Sequence, residues 1–343
     1  MDKPLDYASS GVDREGREKA KAVLSSIRNT YSLSRFGAVV ETPFNILYPV
    51  LPSGKLYHVK TADGVGTKVL LAEMAGKHDT IGIDAVAMVA NDCIRCGADP
   101  IALTDVIDVK KSTPGLLREL QKGLVSGAME AGCPLVGGET ADLPEIMSVP
   151  YHINADCVGS VERAKIIDGS KIRPGDAVIG LRSSGIHSNG LSLARRALFR
   201  KWGGKHSGDE VVESTGKTIL LEALTPTRIY ARQFAKLRDE AEVLGAVHVT
   251  GDAYLKFGRL CRHGFRFNNF KPQEIFGLIR KAGGVSLEEM YKTFNMGWGF
   301  AVVVRKGDVE RALQSLGSDA EAIGEVTRQG ITVESEGKRA VLR

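Results

Sequence analysis

The sequence predicts an α/β (α+β) protein of two domains. Its 343 residues exceed what a single core usually organises. Apolar residues alternate between a period of two and a period of 3.6 through most of the chain. A charged, turn-rich segment, Lys171 to Asp176 (KIRPGD), interrupts that alternation near the middle and marks the expected boundary, dividing the chain into 1–170 and 171–343.

The elements follow in order. A polar N-terminal arm is expected to be mobile, residues 14–29 read as a charged helix, and residues 56–62 as the first clear strand. Residues 81–96 repeat apolar side chains at helical spacing and 101–109 alternate as a strand; 114–132 is a helix with proline in its first turn and glycine at its end. Residues 133–136 and 149–160 read as strands. In the second half 177–181, 300–304 and 320–325 read as strands, and 191–201, 226–238, 253–261, 273–282 and 286–291 as helices, with 203–216 a surface loop.

Composition excludes several function classes. Lys and Arg exceed Asp and Glu by only five, with both signs interspersed, which is not the footprint of a nucleic-acid binder. No apolar run approaches the roughly 18 residues of a membrane span, and the start MDKPLDYASS is not a signal peptide, so a soluble, cytoplasmic protein is expected. Five scattered cysteines argue against a disulfide framework. Cys93 and Cys96 form a C-x-x-C inside an expected helix without a second pair at zinc spacing, and are expected to pack rather than to bind metal.

The segment Thr61 to Lys68, TADGVGTK, closes an apolar-leaning strand with chemistry. Asp63 there is placed to hold a hard cation, Gly64 and Gly66 let the backbone approach a polyanion with Thr67 beside them, and Lys68 is aimed at it. The glycine spacing is too short for a P-loop, and a plain glycine turn with a solvated lysine reads equally well from these residues alone. In the helix beginning near Ile83, Asp84 and Asn91 lie two turns apart on one face, and Asp92 flanks it by about 80°. Asp84 reads best as a solvated partner of the helix dipole. Gly138 and Glu139, in GGETAD, follow an apolar strand, where α/β proteins place ligands. Asp63, Asn91, Asp92 and Glu139 together form an oxygen set suited to magnesium, with Asp105 and Asp142 as further candidates.

In the second half, SSGIHSNG (183–190) precedes a helix, and free backbone N–H groups at such an end bind phosphate. His187, Ser188 and Asn189 are candidates there, as are His248 and Thr250 in HVTG; each histidine has the alternative of a turn or partly buried residue. FNMGWGF (294–300) reads as a pocket wall or as a tight entry into a core strand.

Taken in order across nearly the whole chain, SGVDREG, FGA, DGVGTK, GIDAVAMVANDCIRCGADP, GGETADLP, SSGIHSNGLSLARR, HVTG and FNMGWGF resemble the aminoimidazole ribonucleotide synthetase (phosphoribosylformylglycinamidine cyclo-ligase) family. The resemblance implies a homodimer whose N-terminal sheets join into a β-barrel, followed by a C-terminal α/β domain. It also implies ATP and Mg2+ as cofactors and ATP-dependent cyclisation of formylglycinamidine ribonucleotide through a phosphorylated amide. ATP and magnesium would be held by Asp63, Gly64, Gly66, Thr67, Lys68, Asn91, Asp92, Gly138 and Glu139; Lys68, His187 and His248 would serve catalysis, and Ser188, Asn189 and Thr250 would hold substrate.

The chain departs from that family at Thr30 to Arg35, where a glycine-rich run is usual, and at Asp252 and Ala253, where two glycines are usual. Asp252 is expected to cap the helix through Phe257. Alternative readings are a thiamine monophosphate kinase-like enzyme and a non-catalytic nucleotide-binding paralogue. A selenophosphate synthetase is disfavoured because no cysteine precedes Cys93. A hydrogenase-maturation dehydratase would end in cysteine, and the amidotransferase of this fold is much longer.

Overall fold

The apolar pattern of each half closes into its own sheet. The computed structural model describes residues 4–342, so the first three residues of the N-terminal arm and Arg343 lie outside the described residues. The first sheet contains β1 (Val40–Glu41), β2 (Ile46–Pro49), β3 (Leu56–Gly64), β4 (Asp99–Val109), β5 (Leu135–Asp142) and β6 (Tyr151–Glu162), in the order β1-β2-β3-β6-β4-β5. Only β4 and β5 pair in parallel, and a long crossover helix joins them, as parallel pairing requires. The second sheet contains β7 (Ala177–Arg182), β8 (Val243–His248), β9 (Gly264–Phe267), β10 (Trp298–Val304), β11 (Ala320–Thr327), β12 (Ile331–Ser335) and β13 (Lys338–Leu342), in the order β13-β12-β9-β11-β7-β10-β8.

Five helices matter for the site: α1 (Arg14–Val23), α2 (Val69–Ala75), α3 (Ile81–Ile94), α4 (Pro114–Ala131) and α5 (Leu191–Leu198). The expected helix over 14–29 stops at Val23 and continues as a 3-10 helix, Leu24–Leu33. The crossover α4 begins on Thr113, whose side chain accepts from Leu116 N, and ends at Gly132 in the left-handed conformation, as its terminal residues dictate. It packs closely on α3: a methyl on Gly123 would stand 2.7 Å from Asp79 O, and one on Gly127 2.9 Å from Val86 Cβ.

Helix α3 is buried on nearly every side because both halves of the chain cover it. The first sheet lies on one side, where Thr61 Oγ1 donates to Val89 O at 2.9 Å. The irregular stretch 225–230 of the second half lies on the other. Asp84, expected to be solvated, is fully buried there. Its Oδ1 accepts from Lys68 Nζ at 2.8 Å, Thr227 N at 2.7 Å, Thr227 Oγ1 at 2.6 Å and Ser188 Oγ at 2.9 Å. Two turns on, Asn91 accepts from Tyr230 N at 2.9 Å and donates to Arg228 O at 2.8 Å. The helix expected over 226–238 therefore begins only at Ala231, because the polar groups of the preceding stretch bond to α3.

The N-terminal arm, expected to be mobile, is anchored from its described start. Leu5 N donates to Gly283 O at 3.0 Å, and Arg14 donates to Glu289 Oε1 at 2.8 Å, Lys292 O at 3.0 Å and Thr293 Oγ1 at 2.6 Å. Cys93 and Cys96 are buried in the core with their thiols free. Burial pushes the Cys96 thiol up to about 11, which suits packing and not thiolate chemistry.

Because Asp84 is the sole ion-pair partner of the fully buried Lys68 among the described residues, Asp84→Ala strands an ammonium in the seam between the two sheets. A loss of about 3–5 kcal/mol is expected in urea unfolding. A loss below about 1 kcal/mol would show that the seam does not depend on this carboxylate.

Candidate functional site

Strand register sets the first part of the site. Asp63, at the end of β3, pairs with Ala155 on β6, which pairs with Asp105 on β4, which pairs with Gly138 on β5. Paired residues share a face, so Asp63 and Asp105 both lie on the α3 side, two strands or roughly 10 Å apart. Asp63 accepts from Gly64 N at 2.8 Å. Although its side chain reaches solvent, the surrounding protein raises its carboxyl above the usual range, and the charge of Asp92 adds to the rise. Burial raises Asp105 as well. A side chain at 138 would displace the Asp105 carboxylate, since a methyl there would stand 2.6 Å from Asp105 Oδ1.

Glu139 is not part of this group. GGETAD was expected after a strand end, but β5 extends through it because β4 supplies its backbone with partners. Glu139 consequently pairs with Val106 on the opposite, open face of the sheet.

A second group forms around Asp92 at the C-terminal end of α3. Arg95 donates to Asp92 Oδ1 at 3.0 Å, to Asn45 Oδ1 at 2.9 Å and to Phe44 O at 3.1 Å, with its guanidinium 4.9 Å over the Phe44 ring. His248 Nδ1 lies 2.9 Å from the same Asp92 oxygen, and its Nε2 lies 3.4 Å from Asn91 Nδ2. The imidazole thus donates from Nδ1 and accepts at Nε2. Burial alone would raise the Asp92 carboxyl, but Arg95, His248 and Lys256 hold it well below the usual range. Burial lowers His248, against the opposing pull of Asp92. Following HVTG, Lys256 Nζ donates to His248 O at 3.2 Å and to Thr250 Oγ1. Burial pushes Lys256 down to about 8, against the pull of Asp92.

Several expected residues are committed elsewhere. Lys68 is fully buried between Asp84 and Thr225 O, 2.7 Å away, and is not aimed at an open polyanion site. Both ends of the Asn91 amide bond to backbone of the 225–230 stretch, which ties the side chain into the seam. Ser188 bonds to Asp84 and Thr227 in the seam. His187, with φ 66°, accepts from Ser184 N at 3.2 Å and is buried. Asn295 holds its loop by donating to Gly185 O at 2.8 Å, so FNMG is a brace behind that turn. Asp252 caps nothing: it adopts φ 65° and lies 3.5 Å from Arg14 Nε.

Gly64, Gly66 and Thr67 remain at the surface beside Asp63, Gly66 with φ 64° and open space where a side chain would be. Asn189 lies against the HVTG turn, since a methyl on Gly251 would stand 3.1 Å from Asn189 Oδ1. Sequence reasoning missed Arg95, Lys256 and Arg14. For Arg95 a signal existed in its i,i+3 spacing from Asp92, and for Lys256 in its place five residues after HVTG; only the fold brings Arg14 near that turn. Among the described residues no three His, Cys, Asp or Glu side chains are preassembled around a metal position.

Two family models match the chain: AIR synthase related protein, N-terminal domain, over residues 46–161, and AIR synthase related protein, C-terminal domain, over residues 173–335. The chain belongs to the AIR synthase family. Within this family it is 45% identical over 343 residues to a phosphoribosylformylglycinamidine cyclo-ligase of Pyrococcus furiosus, covering 98% of this chain and all of that one. A protein of the same name from Thermococcus kodakarensis is 42% identical over 339 residues, 97% of this chain and 99% of the relative. Solved structures share the AIR synthase fold at low identity. A HypE-HypF complex matches with TM-score 0.65 at 18% identity over 95% of this chain and 98% of that one. Thiamine monophosphate kinase from Aquifex aeolicus matches with TM-score 0.62 at 16% identity over 94% and 98%.

Burial holds His187 well below the usual histidine value, and the charges of His248, Lys68 and Arg228 add to the shift. The unfolded chain therefore binds a proton near pH 6.5 that the folded chain refuses, so stability is lost as pH falls below that value. The unfolding free energy is expected to drop between about pH 7.5 and 5.5, with up to about 1.4 kcal/mol per pH unit from this residue. His187→Asn should flatten the dependence; an unchanged slope would assign it to other groups.

Proposed function

We propose that the protein is an ATP-dependent ligase that cyclises formylglycinamidine ribonucleotide to aminoimidazole ribonucleotide in purine biosynthesis. The observation that carries this reading is near full-length identity of 45% to a cyclo-ligase of that name. In the reaction, the γ-phosphoryl of ATP passes to the formyl oxygen, and the substrate's own amidine nitrogen then displaces phosphate and closes the imidazole ring. The second step is intramolecular, so the protein's task there is positioning.

Magnesium usually binds through one or two carboxylates together with nucleotide phosphates and water. Asp63 and Asp92 fit that demand, since Asp63 feels the repulsion of Asp92, a conflict a cation between them relieves. Bound there, magnesium would neutralise charge developing on the transferred phosphoryl. His248 has the part of a positioning residue, fixing the Asp92 carboxylate by its Nδ1 hydrogen bond. Gly64, Gly66 and Thr67 offer backbone N–H groups and a hydroxyl to phosphates, while Asn189 and Thr250 face the substrate. Lys68, Asn91, Ser188 and His187 support these parts from the seam. The two-unit division at 170/171 and a cytoplasmic location belong to the same reading.

A homodimer is part of it too. The face of the first sheet away from α3 is uncovered and exposes Ile46, Tyr48 and Val106 together with Glu139. A second copy laid on that face would bury it, and Glu139 would then lie at the contact between subunits. Sedimentation equilibrium is expected to return the mass of two chains, and a monomer at micromolar concentration would refute the dimer.

The reaction is tested by ADP release from ATP and magnesium with and without formylglycinamidine ribonucleotide. Release that does not depend on the ribonucleotide would overturn the reading. Asp63→Asn, at an exposed strand end, is expected to lower kcat about 100-fold without lowering the melting temperature. Wild-type turnover across a magnesium titration would remove Asp63 from the metal.

A further inference from the structure

The three groups that the sequence offered for catalysis, Lys68, His187 and His248, are all buried, and Lys68 has its charge matched by Asp84. Developing charge on a phosphoryl group still requires a cation at the site. Each candidate cation can be judged by what already balances it.

Arg95 is balanced by Asp92 at 3.0 Å, and Arg14 by Glu289 at 2.8 Å with Asp252 at 3.5 Å. Lys256 differs. Its ammonium is half-buried and donates only to two neutral oxygens, His248 O and Thr250 Oγ1. Among the described residues no carboxylate lies within ion-pair distance of it, while the acids nearby have partners of their own: Asp92 has Arg95 and His248, and Asp252 has Arg14. An ammonium carries three N–H donors, so one remains unused beside a net positive charge. The lysine also senses Asp92 and is sensed by Asp63, which puts it in the electrostatic field of the two carboxylates assigned to magnesium.

The geometry points to Lys256 as a further catalytic residue whose free N–H and charge receive a phosphate group at the HVTG turn. The assignment rests on the ligase reading for which reaction the phosphate belongs to, and on the geometry for the site itself. That phosphate is either the one transferred from the nucleotide or the ribose 5-phosphate of the substrate; both present the same dianionic oxygens. The two bonds to His248 O and Thr250 Oγ1 fix the ammonium on the turn, so ligand binding needs no rotamer search. Arg14, by holding Asp252, keeps the one neighbouring carboxylate on the turn from taking the charge of Lys256.

The test uses the full chain with Lys256→Met, Lys256→Gln and Lys256→Arg. For Lys256→Met a fall in kcat/KM of at least about tenfold is expected, with the melting temperature held and part of the loss restored by Lys256→Arg, as for a charge-assisted phosphate contact. A KM effect confined to ATP or to the ribonucleotide names the source of the phosphate, and a kcat effect names the transferred group. Should Lys256→Met unfold, Lys256→Gln takes its place. Kinetics within threefold of wild type for both substrates would overturn the proposal.

Calorimetric titration with inorganic tripolyphosphate plus magnesium, and separately with ribose 5-phosphate, needs no turnover. It decides the site even where the wild type shows no ribonucleotide-dependent ADP release, an outcome that would defeat the ligase reading alone. At least about tenfold weaker binding of either ligand by the variant supports the site. Equal affinity of wild type and variant, or no binding of either ligand by the wild type, overturns it.

Discussion

The Asp84 carboxylate is the constraint on which the rest depends. One oxygen takes four donors, two of them from Thr227, one from Ser188 and one from Lys68. A carboxylate is retained in a core when donors and a counter-charge offset its lost hydration, here all at Oδ1, while Oδ2 is buried without a partner among the described residues. Here the donors come from both halves of the chain, so solvation of one group and docking of two sheets are a single requirement. Asn91 repeats the device two turns along α3. With α3 fixed between the sheets, its C-terminal end delivers Asp92 to His248 at the end of β8.

That seam also explains the distribution of charge at the site. Placing Lys68 inside matches Asp84 but withdraws the lysine from the glycine turn it follows. Burial likewise keeps His187 and His248 neutral, which suits groups that hold a loop and orient a carboxylate rather than carry a proton through solvent. Positive charge near HVTG comes from Arg95, Arg14, Lys256 and the exposed Arg259, of which the first two have acidic partners.

Asp252 and Ala253 illustrate what a substitution does to a turn. Both keep positive φ, 65° and 35°, a conformation that glycine adopts without strain. The turn adopts these angles without glycine, and Arg14 from the N-terminal arm lies against Asp252. An arm expected to be mobile is thereby tied to the second half beside the HVTG turn.

Period and punctuation in the sequence determined most of the elements and the two-sheet class, because side-chain alternation and end residues such as Thr113, Pro114 and Gly132 act locally. Motif order determined the family, and the residue types of Asp63 and Asp92 determined what they would do if placed together. Tertiary structure alone decided which groups are spent and which are available. Asp84 and Ser188 are indistinguishable in sequence from solvated polar residues until the 225–230 stretch covers them. Glu139 falls on the open face because β5 runs six residues past its expected end, to Asp142, and side chains alternate along a strand. Lys68 and Lys256 are the same residue type; an ion pair with Asp84 compensates one, and among the described residues no carboxylate stands in ion-pair range of the other, whose charge is left without a direct partner. Such balances are sums over neighbours distant in the chain, and no local pattern encodes them.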